Sequence, residues 1–424
     1  MKKIFLAILC VMAGMSLQSC LHDDKEFFDE PAANRIESTV ENTQKLLESA
    51  ENGWELQYYT GEGYTGGGYT FLLNFKNGKV TVAGDPEVAT STERATSSFA
   101  VDRSMGPVIT FNTYNSILHA LGTPTMDNIQ GEQGDWEFVV TKLTQDSIFV
   151  RGKKWGNNMV FTRLPQTVDW KEHLDSIATV LSKLNDNYVA SSDESKVIEI
   201  NSATRRIAYK NDLGSTSELP FIVTPTGVQA LEEVNIGNVQ SSRFELTQTG
   251  NLLVKGNEQV ELSPYIPTID EWVGNWSLIA MAGSCDIDIV KSEEKADSLV
   301  GTFKVDTCEY TIGLNYDEAT GKLYMGSQIV QDLSERYYAI WFMGTDLNQG
   351  TLLGDGGLYF TWHAVTKEAS CVGEQLKAQD GTLYTVDTFV GAAVDASGNL
   401  LKDADNHYIF PFTWYYVSGM SRNN

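Results

Sequence analysis

Apolar residues along this chain fall into two rhythms. In Pro31–Asn52 they recur at Ile36, Val40, Leu47 and Ala50, the spacing of a helix with one buried face, and Asn52-Gly53 supplies a stop. From Trp54 the period shortens to two. "GWELQYY" alternates, and "YTFLLNFKNGKVTVAG" predicts a hairpin whose Asn77-Gly78 turn suits type I′ geometry. Gly134–Leu164 predicts three strands broken at Gln145-Asp146 and at Gly156-Asn157-Asn158. A second helix follows: Asp169 with Glu172 resembles a capping box, and Trp170, Leu174, Ile177, Leu181 and Leu184 form one stripe ending near Asn185–Asn187. Short strands then run to about Pro264, and "SPYIPTIDEW" is a composition break that predicts a linker. Beyond it come further strands, among them "GNWSLIAMA", "CDIDIV", "LVGTFKV" and "CEYTIGLNY".

The expectation is a mainly β (α+β) protein of tandem antiparallel sheets or barrel-like units, with an N-terminal helix and one inter-unit helix. The units are 33–165, 166–265 and 266–424, and the helix-then-strands order of the first two suggests a structural repeat. Gly274-Asn275-Trp276, which opens the third unit, resembles the G-x-W of lipocalin-like barrels; Gly53-Trp54 could be its relative in the first. A barrel of that kind offers a cavity, whereas a filled core offers none.

The stretch "YYTGEGYTGGGYTFLLNF", Tyr58–Phe75, combines tyrosines with glycines. Tyrosine presents a flat face and a hydroxyl at low entropic cost, which suits sugar stacking or peptide contact. Alternation assigns Tyr69, Phe71, Leu73 and Phe75 to the core and leaves Tyr59 and Tyr64 as candidate exposed ligand contacts. The competing reading, and the favoured one, is a mobile connection between two strands.

Charge and the N-terminus change the picture. The formal net charge of −25 repels phosphate backbones, so no nucleic-acid partner is expected. Lys2 and Lys3 precede the apolar run Ile4–Met15, too short to span a bilayer, which marks residues 1–19 as a secretory signal. Leu17-Gln18-Ser19-Cys20 resembles a bacterial lipobox, with Gln18 where a small residue is usual, so Cys20 is the expected lipidation site. Cleavage there takes away two lysines and no acid, leaving a charge of −27. Residues 20–32, with Asp23, Asp24, Glu26, Asp29 and Glu30, form an acidic tether, solvated and extended by like-charge repulsion. That tether resembles the export signal of Bacteroidetes surface lipoproteins; a periplasm-facing lipoprotein with an acidic spacer is the alternative.

With Cys10 in the signal and Cys20 acylated, Cys285, Cys308 and Cys371 remain, an odd number that allows at most one disulfide within the chain. Cys285 and Cys308, on neighbouring strand candidates, are the expected pair. Asp-Ser-aliphatic occurs at Ser147, Ser176 and Ser298 and resembles the O-glycosylation sequon of Bacteroidetes envelope proteins. Ser147 and Ser298 are the candidates, because Ser176 falls on the second helix. No HExxH, GxSxG or phosphate-loop pattern occurs, and no cofactor or metal is expected. Asp395, Asp403, Asp405 and Asn406 cluster oxygen ligands, but without EF-hand spacing, and predict a solvated loop before a Ca²⁺ site.

The lipobox, the acidic tether, "NRIESTVENTQKLLESAENGWELQYY", "GGGYTFLLNFKNGKVTV" and "DWEFVVTKLTQDSIFVRGKKWGNNMVFTRL" together resemble a family of uncharacterised Bacteroidetes lipoproteins, a domain of unknown function. The resemblance is clearest over Ala33–Leu164. It implies an outer-membrane, lipid-anchored accessory protein beside a TonB-dependent receptor or a neighbouring surface lipoprotein, and it supplies no binding residues. The rival expectations are a carboxylate-dependent glycan or peptide hydrolase and a purely structural envelope lipoprotein.

Overall fold

The computed structural model describes residues 32–104, 106–124, 128–190, 193–236, 239–256, 258–281, 283–330 and 339–423. Within them the strands close into three antiparallel barrels of eight strands each. The first runs from Trp54–Tyr59 to Asn158–Arg163, and these two strands pair to close it, Leu56 opposite Phe161. Between them lie the hairpin Gly68–Lys76 and Lys79–Gly84 and the predicted strands Glu137–Leu143 and Ser147–Gly152. Ala95–Ser104 and Gly106–Phe111 complete the barrel, and the sequence pattern had not indicated them. The hairpin turn is of the expected type: Asn77 and Gly78 both have positive φ, 51° and 70°.

The first helix, Ala32–Glu48, lies across strands of this barrel, with Leu47 and Ala50 buried and Val40 half-buried. Inside, phenylalanines fill the space in edge-to-face pairs, such as Phe75 with Phe99 at 4.8 Å and Phe138 with Phe161 at 6.0 Å. This interior is packed side chain.

The second helix, Trp170–Lys183, begins as expected: the Asp169 side chain accepts the Glu172 N–H. Its fully buried face is Leu174, Ile177 and Val180, and it packs against the second barrel, which closes where Asn187–Ala190 pairs with Gln259–Pro264. The predicted stripe was slightly rotated, since Leu181 and Leu184 are only partly buried.

The third unit is more than a barrel. Eight strands from Gly274–Ala280 to Gly419–Arg422 close on themselves, while Gln328–Val330, Ala339–Asp346, Thr388–Val394 and Phe412–Trp414 form a separate sheet sharing one core with it. The predicted linker ends in a 3₁₀ turn, Ile269–Trp272, whose Trp272 stacks on Trp276 at 5.5 Å inside the barrel end. In the first and third barrels a buried tryptophan on the opening strand lies under an arginine from the closing strand. Arg163 sits 4.6 Å from the Trp54 ring and Arg422 5.8 Å from the Trp276 ring.

The first two barrels are joined through the glycine-rich stretch. A Cβ added to Gly68 would lie 2.5 Å from the Phe221 carbonyl oxygen, and one on Gly67 would lie 2.7 Å from Arg205 Cβ. Only bare backbone permits this approach. Strand Gly68–Lys76 is consequently buried on both faces: Leu72 belongs to the second barrel's core, and Ile222 of the second barrel belongs to the first's. Beside this seam Arg205 Nη2 donates to Asp85 Oδ1 at 2.7 Å, both side chains fully buried, with the guanidinium 5.5 Å from the Tyr69 ring.

Removing one member of a fully desolvated pair leaves the other charge buried and uncompensated, which costs about 3–5 kcal/mol. Arg205→Ala is therefore expected to lower unfolding stability by about that amount in chemical denaturation. A loss below about 0.5 kcal/mol, the scale of ordinary surface substitutions, would show that the pair does not fasten the seam.

Candidate functional site

A cleft of about 890 Å³ lies at the third barrel. Alternation builds its two sides. Along Gly283–Lys291, Cys285 and Ile287 face the interior while Asp286 and Asp288 are exposed. Phe303, from the next strand, meets Trp414 at 4.7 Å and Phe412 at 5.2 Å, and those two come from the separate sheet. The Met281 N–H donates to the Tyr415 carbonyl at 2.8 Å, tying that segment to the barrel mouth. The polar edge carries Asp286, Asp288, Asp306 and Glu309 against one cation, Lys304, which pairs with Glu309 at 2.9 Å. An aromatic wall with an excess of carboxylates favours ligands that combine an apolar body with donors or a positive charge.

Cys285 and Cys371 are half-buried thiols and Cys308 a buried one, and no disulfide joins any of the three. The expected Cys285–Cys308 bridge is absent because strand Ser298–Val305 lies between their strands. Two strand spacings separate them by about 9–10 Å, beyond the roughly 7 Å that a disulfide spans. Burial pushes the Cys285 thiol up to about 11, with Asp286 adding to the rise, and the Cys371 thiol up to about 12.

Tyr59 is not an exposed contact. It is 5% accessible, within the first barrel's core, and its ring meets Tyr64 edge-on at 5.9 Å. Burial raises its pKa, with Tyr64 adding to the effect. The Tyr64 hydroxyl accepts the Asn158 N–H at 2.8 Å, and Asn157 Oδ1 accepts the Tyr64 N–H at 3.2 Å. Glu62–Tyr64 is thus a 3₁₀ turn tied to the barrel, and the glycines after it serve the seam with the second barrel. Ser147 and Ser298 each open a strand and are half-buried, in the first and third barrels respectively, so the structure does not gather them with the tyrosines. Cys20 lies outside the described residues. Asp395 and Asp403 turn their carboxylates onto their own loops, accepting N–H groups of Ser397 and Asn399 and of Asp405 and His407. Among the described residues no group of three or more His, Cys, Asp or Glu could hold a metal ion. No described helix is long and apolar enough to cross a membrane.

A second cleft, of about 350 Å³, lies between the second and third barrels. There Asn187 accepts the Ala364 N–H at 2.8 Å and donates to the Trp362 carbonyl at 2.7 Å. Glu199 of the second barrel and His363 of the third meet beside it, both buried. Nearby Asp186 has its pKa raised by burial, against the pull of Lys322 and His363 and with the help of Glu199. No sequence signal pointed to these residues, which are separated by up to 177 positions.

The sequence profile of a family described as a domain of unknown function, DUF4302, matches residues 24–248. No curated protein matches the chain. Among solved structures, a single-substitution variant of the vaccine antigen transferrin binding protein B (TbpB) from Haemophilus parasuis Hp5 is similar at 12% identity, over 82% of this chain and 72% of that one, with a TM-score of 0.18. A double variant of the same antigen is similar at 10% identity, over 80% and 74%, with a TM-score of 0.15. At those scores the arrangements do not superpose, and the likeness says nothing about a ligand of this chain.

A raised thiol pKa means that the reactive thiolate becomes plentiful only at higher pH. Cys285 is expected to react with iodoacetamide at pH 8 roughly a hundredfold more slowly than an unperturbed cysteine, the rate climbing about tenfold per pH unit until the thiolate dominates. Ordinary reactivity, or a mass requiring reductant before any alkylation, would contradict the unbridged, half-buried thiol.

Proposed function

The chain belongs to the DUF4302 family, and from its address and its clefts we propose that it is a lipid-anchored outer-membrane protein of the cell exterior that binds a nutrient or partner protein beside a TonB-dependent receptor. The address rests on the short apolar signal, the cysteine at Leu17–Cys20 and the acidic stretch after it. Acyl chains on that cysteine would hold the protein at a membrane without any spanning segment, since more than one chain gives stable anchoring.

The observation that carries the binding reading is the aromatic-walled cleft of the third barrel. The barrel interiors are filled by their own side chains, such as Phe75, Phe138 and Phe161 in the first and Trp276 and Trp362 in the third. A ligand must therefore be met at a mouth or between units. The cleft lined by Phe303, Phe412 and Trp414 has the size of an ordinary ligand site and a rim of exposed carboxylates. The overall negative charge keeps the protein off anionic surfaces and favours partners that present donors or cations.

Two measurements test this. Cys20→Ala is expected to abolish incorporation of labelled palmitate and to move the protein out of the membrane fraction; unchanged lipid labelling would overturn the anchor. Mild cross-linking of intact cells, followed by purification through a C-terminal tag and mass spectrometry, is expected to recover a TonB-dependent receptor in near-equal amount. Recovery of the protein alone would overturn the accessory role.

A further inference from the structure

The cleft between the second and third barrels holds an arrangement that ligand binding at the third barrel does not use. Glu199 comes from strand Asp193–Asn201, His363 from the end of Gly357–His363, and Ser370 from Glu368–Gly373. In the antiparallel pair His363 faces Glu368 and Thr361 faces Ser370, so His363 and Ser370 are diagonal neighbours within side-chain reach. His363 Nε2 lies 2.8 Å from Ser370 Oγ, and its Nδ1 lies 3.2 Å from Glu199 Oε1. The other Glu199 oxygen accepts the Thr366 N–H at 3.2 Å and the Thr366 hydroxyl at 3.0 Å, which fixes the carboxylate in place. Glu199 and His363 are 4% and 3% accessible, Ser370 is half-buried, and all three line the 350 Å³ cleft.

A hydroxyl on one imidazole nitrogen and a buried carboxylate at the other is the relation of nucleophile, base and orienting group, and it recurs on unrelated folds in any chain order. The Glu199 oxygen is close to Nδ1 but makes no hydrogen bond with it. Such bonds are commonly loose before substrate binds and tighten afterwards.

We propose that Ser370, His363 and Glu199 form an acyl-transfer centre that hydrolyses a small acyl ester admitted between the second and third barrels. With the imidazole proton on Nδ1, Nε2 accepts the Ser370 Oγ–H. Oγ attacks the ester carbonyl carbon, a carbon–oxygen bond forms, and the proton passes to Nε2. The tetrahedral intermediate collapses by breaking the bond to the alcohol oxygen, which takes that proton and leaves as the alcohol. Water then attacks the acyl-serine, giving one proton to Nε2, which returns it to Oγ as the acid departs. Glu199 stabilises the imidazolium without touching the ester, so it is a positioning residue. The cleft volume, near the lower end for ligand sites, suits a short acyl group.

The test uses the full chain and a biotinylated fluorophosphonate, with tryptic mass spectrometry to locate the adduct. Labelling is expected at Ser370 in the native protein, to vanish in Ser370→Ala, and to slow by about a hundredfold or more in His363→Gln. Glu199→Gln is expected to slow labelling and move its pH midpoint downward, since a lost carboxylate destabilises the imidazolium. A purely structural Glu199 would lower the melting temperature and leave the midpoint in place. p-Nitrophenyl acetate should be turned over by the native protein and not by Ser370→Ala. Absence of a Ser370 adduct in the native protein overturns the proposal without any variant, as does labelling that a folded His363→Gln leaves unchanged.

Discussion

Bare backbone at Gly67 and Gly68 is the constraint on which the relation of the first two barrels depends. The Phe221 carbonyl and the Arg205 stem occupy the space that any side chain would need. Because the strands come this close, Leu72 and Ile222 each enter the other barrel's core, and the seam excludes water. Exclusion of water is what makes the Asp85–Arg205 contact consequential, since a desolvated pair is sensitive to geometry in a way that a surface pair is not. Arg206, next in sequence, reaches the Tyr64 and Gly66 carbonyls at 2.9 and 3.1 Å and ties the adjoining turn to the same seam.

Filled barrels direct where function can reside. In the first and third units an arginine from the closing strand lies over a buried tryptophan of the opening strand, so closure of the sheet and sealing of the barrel end are one event. Large aromatic side chains occupy the interiors and leave recognition to mouths and junctions. The third unit supplies both kinds of place. Its extra sheet brings Phe412 and Trp414 against Phe303 to wall one cleft, and its His363, bonded to Ser370, meets Glu199 to make the other.

The two clefts differ in chemistry. The first is wide, with an apolar wall and more carboxylates than cations along its edge. The second is narrow and holds its acid, imidazole and hydroxyl on facing units, so its geometry depends on how the second and third barrels dock through Asn187. A binding surface and a reactive junction can coexist because each draws on a different boundary of the same barrel.

By itself the sequence determined the mainly β architecture, both helices and several turns, because those depend on period and on local backbone preference. The Asn77-Gly78 turn and the Asp169 cap were legible for that reason, as was the alternation that buries Phe71, Leu73 and Phe75. Only the tertiary structure decided the rest. The Tyr59–Tyr64 stretch carries the same residues whether it faces a ligand or packs against its own barrel, and packing chose the barrel. Cys285 and Cys308 lie near each other in sequence, yet an intervening strand keeps them apart. Glu199, His363 and Ser370 meet because two closed sheets dock. No local rule encodes that meeting, since period and propensity act over a few residues and docking acts over the whole chain.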